Sequence, residues 1–309
     1  MTKRICLLAG FHPKNQVSDY VVHYAKALAE LAEVYYLADC EMPAKELAKL
    51  APYTKGAWGY HHGKYDFGSW QELIYKLGWQ TLAQYDECLL VNDSGFAPLF
   101  PLKPLFEKAA THEALDAWAL NSFEQDYMGS FFVVLNRKAF LSDAFSQFIA
   151  SVTPKADVGE VIRHYEKRLP EVLRQAGCAY SVFLNTLPNI YNPWRRAIKY
   201  GFPVLKLQIF VRTRLYADRD WLPGWRNFLK QYTDYPIDLI EQHLVSVGID
   251  PSQFDTIGFK IKSVWWAFRR IRRKAFRVHF QKDVKIVVLF GITLLNTEPA
   301  AKGSNIKAL

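Results

Sequence analysis

Apolar positions fall into two periods along this chain, and their order outlines the fold. Cys88-Leu89-Leu90-Val91 is a short unbroken apolar run between turn-prone Gln84-Tyr85-Asp86-Glu87 and polar Asn92-Asp93-Ser94. Such a run predicts a strand buried on both faces. Just ahead of it, Trp70, Leu73, Ile74 and Leu77 recur at i, i+3, i+4 and i+7, one stripe of a helix. Ser69 with Glu72 three residues on has the form of a capping box, so the predicted helix starts at Ser69 and Asp66 lies just before it. Upstream, 5–11 and 34–38 read as strands. Between them Ser18 caps a helix whose inner face carries Val21, Val22, Ala25, Leu28 and Leu31. Pro43 opens a short helix to about Leu50, and 56–63 reads as a loop holding Trp58, Tyr60, His61 and His62.

Downstream, Pro98, Pro101 and Pro104 punctuate a loop that leads into a short helix. Strands are expected at 116–120 and 131–135, and helices at 138–150 and 157–176, the second closed by Gly177. Past residue 180 the regularity weakens: 204–207 reads as strand or loop, 225–232 as a helix, and 237–247 as another ended by Gly248. The opening β-α-β-α order predicts an α/β fold, a mostly parallel central sheet flanked by helices.

Composition narrows the class. With 309 residues, 50% hydrophobic and 15% aromatic, the chain can bury a full core and is no linker or tail. Cys6, Cys40, Cys88 and Cys178 are scattered with no C-x-x-C pair, which suggests neither a zinc site nor a disulfide framework, and a reducing compartment. The run at 5–11 leads into His12-Pro13-Lys14-Asn15-Gln16 with no small-residue cleavage site, so it reads as a first strand and not a signal peptide. No run reaches the ~18 apolar residues of a membrane span, 286–295 coming nearest.

The net charge of +9 is concentrated near the C-terminus. Between Lys260 and Lys285 there are ten Lys/Arg against one acid, Asp283. Removing that segment leaves 39 − 10 = 29 bases and 30 − 1 = 29 acids, so the rest sums to neutral. On a helical wheel Val264, Ala267, Phe268, Ile271, Ala275 and Val278 form an apolar stripe, and Arg269, Arg270, Arg272, Arg273, Lys274 and Arg277 cover the remainder. A basic amphipathic helix over 263–280 is therefore expected, suited to an anionic membrane surface or to packing its stripe on the body. The expected division is a domain at 1–250 and this basic segment at 251–309.

Candidate chemistry starts at strand ends, since polar residues past the C-terminal end of a parallel strand face the ligand crevice. Asn92, Asp93 and Ser94 occupy that place, and Asp66 precedes a helix start that favours anions. His61 and His62, as neighbours on an extended loop, point to opposite sides and are not expected to share a metal.

Several ordered stretches carry a resemblance. Tyr65-Asp66-Phe67-Gly68-Ser69-Trp70, Leu89-Leu90-Val91-Asn92-Asp93-Ser94, Pro98-Leu99-Phe100-Pro101-Leu102, Asp116-Ala117-Trp118 and Ser130-Phe131-Phe132-Val133-Val134 resemble the signature of the rhamnan synthesis protein F family. Over 60–250 the likeness extends to Gly201-Phe202-Pro203-Val204-Leu205-Lys206 and Tyr235-Pro236-Ile237-Asp238-Leu239-Ile240. Departures occur at Ala119 and at Tyr127-Met128-Gly129, where the family tends to carry Gly and a polar motif.

The resemblance implies a GT-A-like glycosyltransferase of bacterial surface polysaccharide, such as O-antigen or rhamnan. The implied donor is dTDP-rhamnose, the implied acceptor a polyprenyl-linked glycan, and the implied place the inner face of the cell membrane. It implies Mg²⁺ or Mn²⁺ on Asp93, because a hard ion takes one or two protein carboxylates and completes its shell with phosphate and water. It places Tyr65, Asp66, Gly68, Ser69, Asn92, Ser94 and Lys206 at the donor. For an inverting transfer it makes Asp116 the first candidate base, with Asp126 and Glu124 next. The alternatives are a relative that binds nucleotide-sugar without turnover, or a non-enzymatic module whose basic helix binds lipid or nucleic acid. No standard nucleic-acid motif accompanies that charge, so nucleic acid is the less expected partner.

Overall fold

The computed structural model describes residues 2–111, 115–124, 127–184, 193–211, 222–256, 261, 276–281, 284–289 and 292–297. Its first half alternates strand and helix: β1 (Arg4–Gly10), α1 (Asp19–Ala29), β2 (Glu33–Ala38), α2 (Ala44–Leu47), β3 (Gly56–Gly59), α3 (Tyr65–Leu77), α4 (Trp79–Leu82) and β4 (Glu87–Asn92). Next come β5 (Gly95–Phe96), α5 (Lys103–Ala110), β6 (Ala117–Glu124), β7 (Tyr127–Met128), β8 (Phe132–Asn136), α6 (Arg137–Phe140), α7 (Asp143–Ala150), α8 (Val158–His164), α9 (Leu169–Gln175) and β9 (Tyr180–Leu184). The described remainder of the body holds α10 (Trp194–Lys199), β10 (Leu205–Lys206), α11 (Gln208–Val211), α12 (Trp225–Tyr232) and α13 (Ile237–Ser246).

The central sheet runs β3-β2-β1-β4-β8-β6-β7, with β9 also on β6. β3, β2, β1 and β4 are mutually parallel; β8 is antiparallel to both β4 and β6, so β6 again runs with β4. Side chains alternate between faces along each strand, and both faces are covered. Cys6 and Leu8 join one buried cluster with Leu89 and Val91, while Ile5, Leu7 and Ala9 join the other with Cys88 and Leu90. That double covering is why the strand at 88–91 carries no polar residue. The expected α/β outline, a mostly parallel sheet with helices on both faces, is present.

The helix before β4 starts four residues earlier than the capping box predicts. Asp39, at the end of β2, accepts the backbone N–H groups of His62 (2.7 Å), Gly63 (2.9 Å) and Tyr65 (2.9 Å), so a carboxylate distant in sequence caps α3. Ser69 and Glu72 are released from capping: Ser69 Oγ meets His62 Nε2 at 3.1 Å, and Glu72 pairs with Lys64 and Tyr60. Ser18 holds the N-cap place of α1, but its hydroxyl meets His243 Nδ1 at 2.9 Å instead of the backbone.

Three further expectations are corrected. The loop at 56–63 contains the edge strand β3, paired in parallel with β2. The helices at 138–150 and 157–176 are each broken in two, at Ser142, which caps α7, and ahead of Pro170 in the first turn of α9. The basic helix expected at 263–280 is replaced by a strand over 276–280: β11 (Phe276–Gln281), β12 (Val284–Leu289) and β13 (Ile292–Thr297) form an antiparallel sheet. Phe276, Val278 and Phe280 alternate with Arg277, His279 and Gln281, a period of two that the wheel folds into its stripe. Residues 262–275, where most of that predicted helix falls, lie outside the described residues.

Candidate functional site

β1 has β2 on one side and β4 on the other, so the strand order reverses there and a crevice opens past the C-terminal strand ends. A cavity of about 570 Å³ lies at that place, lined by Ala9 to Phe11 at the end of β1, Asp39 after β2, and Asn92, Asp93 and Ser94 at the end of β4. Tyr65 and Asp66 of α3, together with His61, Lys155 and Leu207, close its sides.

Asp93 is 8% exposed and fixed by its backbone: its N–H donates to the Ala9 carbonyl (3.0 Å) and its own carbonyl accepts the Tyr20 hydroxyl (2.8 Å). The carboxylate accepts the Phe11 N–H at 3.1 Å. Burial pushes its pKa up to about 7, against the Phe11 N–H and the Lys206 ammonium, with Asp66 adding to the rise. Asp66 faces the same cavity and accepts from Asn92 Nδ2 (2.8 Å) and the Phe67 N–H (3.0 Å). Burial, then the charge of Glu166, pushes it up to about 6. Two carboxylates with raised pKa values thus share one wall.

Behind the wall the polar groups form a chain. Asn92 Oδ1 accepts both the Ser94 hydroxyl (2.6 Å) and its N–H (3.2 Å), and the Lys206 ammonium donates to Ser94 Oγ. Lys206 is buried, its Nζ 4.1 Å from the centre of the Phe131 ring, and burial pulls its pKa down to about 8 against the carboxylates of Glu166, Asp66 and Asp93. It does not line the cavity. Its place is that of an internal counter-charge to the two aspartates.

The structure therefore brings Tyr65, Asp66, Asn92, Asp93 and Ser94 together at one cavity and leaves other expected residues out of it. Gly68 serves packing inside the protein: a Cβ there would run into Lys64 Cβ and stand 2.8 Å from the His62 ring. Ser69 is fully buried against His62. Asp116 lies just ahead of β6, and β6 runs parallel to β4, so it sits at the opposite end of the sheet from Asp93. Burial would raise its pKa, but bonds from Lys138 (2.8 Å), Asn136 (2.9 Å) and the Ala179 N–H (2.9 Å) hold it below the ordinary carboxylate value. Its role is to tie strand ends, and it is withdrawn as a base. Asp126 lies outside the described residues, between the last residue of β6 and the first of β7.

Residues missed by the sequence reading complete the cavity. Asp39 follows β2 as Asp93 follows β4, so the strand-end argument could have found it. Burial opposes its ionisation, yet the N–H groups of Gly63, His62 and Tyr65 keep its pKa low. His61 and His62 both approach Asp39, through Nδ1 at 3.1 and 3.5 Å, but the first side chain is 70% exposed and the second 5%. Only His61 lines the cavity, as the opposed directions of neighbours require. Lys155, on the loop before α8, is the lysine on the wall. Among the described residues no group of three or more His, Cys, Asp and Glu forms a protein-only metal cage.

The family model described as rhamnan synthesis protein F matches residues 36–279, which takes in every residue of the cavity except those after β1. The chain belongs to the rhamnan synthesis protein F family. No curated protein is similar enough to count as a match. Among solved structures, S. aureus TarS 1-349 is similar at 10% identity over 93% of this chain and 96% of that one, with a TM-score of 0.38. The glycosyltransferase GlyE of Streptococcus pneumoniae is similar at 13% identity over 85% and 64%, TM-score 0.38. The 4-diphosphocytidyl-2C-methyl-D-erythritol synthase of Anaerococcus prevotii is similar at 11% over 61% and 89%, TM-score 0.42.

Proposed function

We propose that this family member is an inverting glycosyltransferase that moves rhamnose from dTDP-rhamnose to a polyprenyl-linked bacterial surface glycan on the inner face of the cell membrane. The observation that carries the reading is the pairing of Asp93 with Asp66 on one cavity at the reversal of strand order. Departure of the nucleoside diphosphate concentrates negative charge where those carboxylates already repel each other. The donor set fits a divalent cation completed by substrate oxygens, not a cage, with Asp93 as its holder and Asp66 beside it. Such an ion, Mg²⁺ or Mn²⁺, would supply neutralisation of the leaving diphosphate.

The chain's own residues do the rest. Phe11 N–H orients the Asp93 carboxylate, Asn92 orients Asp66, and Lys206 holds Ser94 from behind, so the wall is organised before ligand arrives. Lys155 supplies a positive group facing the same space. Asp126, which lies outside the described residues, is kept as the proposed base on the family resemblance alone.

The test is thermal-shift screening of wild type and Asp93→Ala with dTDP, UDP, GDP and their sugars, with and without Mn²⁺. A rise in melting temperature with dTDP-rhamnose, lost in Asp93→Ala, is expected. Absence of any nucleotide-dependent rise in the wild type would remove the reading.

A further inference from the structure

The cavity wall carries three acids, Asp39, Asp66 and Asp93, and among its lining residues Lys155 is the one lysine or arginine. With all three acids ionised, a divalent ion at Asp93 would offset two of the charges and leave the wall negative, which repels a diphosphate. Lys155 cancels the third. It is partly buried and forms no ion pair among the described residues.

The loop that carries Lys155, between α7 and α8, is tied down on both sides of it. Gln71 of α3 donates through Nε2 to the carbonyls of Ile149 (2.7 Å) and Val152 (3.1 Å). Beyond the lysine, Glu160 accepts the Ala156 N–H (3.3 Å), and Asp157 caps α8 by accepting the Glu160 N–H (3.0 Å). Between these anchors stands Tyr165, two residues from Lys155 only through its hydroxyl. That hydroxyl accepts the Thr153 N–H at 2.9 Å, donates to the Thr153 carbonyl at 3.2 Å and lies 3.3 Å from Thr153 Oγ1. The Lys155 ammonium in turn donates to Thr153 Oγ1 at 3.2 Å and stands 5.4 Å from the Tyr165 ring centre.

The ring of Tyr165 is 2% exposed and packs against Phe148 and against Phe67, the residue after Asp66. Phenylalanine would fill that space as well. A buried hydroxyl is retained at a cost in desolvation unless it is bonded, and here its bonds hold the backbone next to the lysine of the wall.

We propose that Tyr165 is a positioning residue of this cavity: its hydroxyl fixes the turn at Thr153 so that Lys155 meets the phosphate groups of a nucleoside diphosphate. The nucleoside part of that ligand rests on the function proposed above, whereas the coupling of Tyr165 to Lys155 and to phosphate does not. The test is isothermal titration of the full chain with dTDP and with inorganic pyrophosphate, each with Mn²⁺. It compares wild type, Lys155→Gln, Lys155→Arg, Tyr165→Phe and the double variant Lys155→Gln/Tyr165→Phe.

Lys155→Gln is expected to lose about tenfold in affinity for both ligands, the size of one charge-assisted hydrogen bond, and Lys155→Arg to keep most of it. Tyr165→Phe is expected to lose severalfold. Because the hydroxyl acts through the lysine, the double variant should bind within about twofold of Lys155→Gln alone. Unchanged affinity in Lys155→Gln or in Tyr165→Phe would overturn the proposal, and so would losses that simply add in the double variant, the mark of a merely structural hydroxyl. Pyrophosphate binding that follows the expected pattern, without any response to dTDP, would leave the assignment standing and remove the transferase reading. A wild type that binds dTDP while all the substitutions are without effect would do the reverse, and one that binds neither ligand would overturn both.

Discussion

Asp93 and Asp116 show how a carboxylate on the cavity differs from one that ties strand ends. The pKa of Asp93 is raised toward 7 because burial disfavours its charge more than the Phe11 N–H and Lys206 favour it, whereas Asp116 is held low by its three bonded partners. Both read from sequence as acids beside strands, and only the partners that folding supplies tell them apart. A raised carboxylate makes the folded state bind its proton at a pH where the unfolded chain does not. Its contribution to stability is thus present at low pH and lost as pH rises toward 7. Asp93→Asn removes that loss. The variant is expected to melt higher than wild type at pH 8 in EDTA, by on the order of 2–4 kcal/mol in stability, and to show little difference at pH 5. It is also expected to give no Mn²⁺-dependent nucleotide shift. Calorimetry at the two pH values checks the first part; equal melting at pH 8 would mean that Asp93 is solvated when folded.

At the level of elements, the strands are legible because their signal is local. A strand covered on both faces needs an apolar run, and 88–91 supplies it within four residues. The start of α3 is not legible, because its cap comes from Asp39, 26 residues before Tyr65. A capping box satisfies two N–H groups locally, but Asp39 satisfies three and draws the helix back to Tyr65, which sits at φ +57°. That start presents Tyr65 and Asp66 to the cavity. Asp39→Ala is expected to cost about 1–3 kcal/mol of stability, since it strands three N–H groups at a partly buried turn. It is also expected to weaken nucleotide binding through Asp66, while Ser69→Ala, which leaves the cap in place, weakens it far less. Urea unfolding with a nucleotide titration separates the two; equal effects would return the helix start to the local motif. The break at Ser142 is visible as a possible cap but is outweighed by the continuous apolar pattern around it.

Over the full fold, buried ionisable groups pull stability in opposite directions, and the pattern comes from packing that no single stretch encodes. His243 of α13 is buried against His12, Tyr20 and Phe96, and burial lowers its pKa to about 4. Its contribution to stability is fully present above the unfolded value near 6.5 and is lost as pH falls toward 4, at about 1.4 kcal/mol per pH unit. Asp93, raised to about 7, and Asp66, raised to about 6, act oppositely over the same window, each gaining stability as pH falls below its folded value. Between about pH 6.5 and 6 the Asp93 gain and the His243 loss nearly cancel, and below about pH 6 Asp66 adds to the gain. In EDTA the wild type is therefore expected to melt somewhat higher at pH 5 than at pH 7. Replacing both acids, Asp66→Asn with Asp93→Asn, removes the gains and leaves the His243 loss exposed, so that melting temperature should fall steadily over the same range. Scanning calorimetry at half-unit steps decides it. A double variant that follows the wild-type profile would mean that the site carboxylates and the α1–α13 contact are not the opposing groups that set the acid profile.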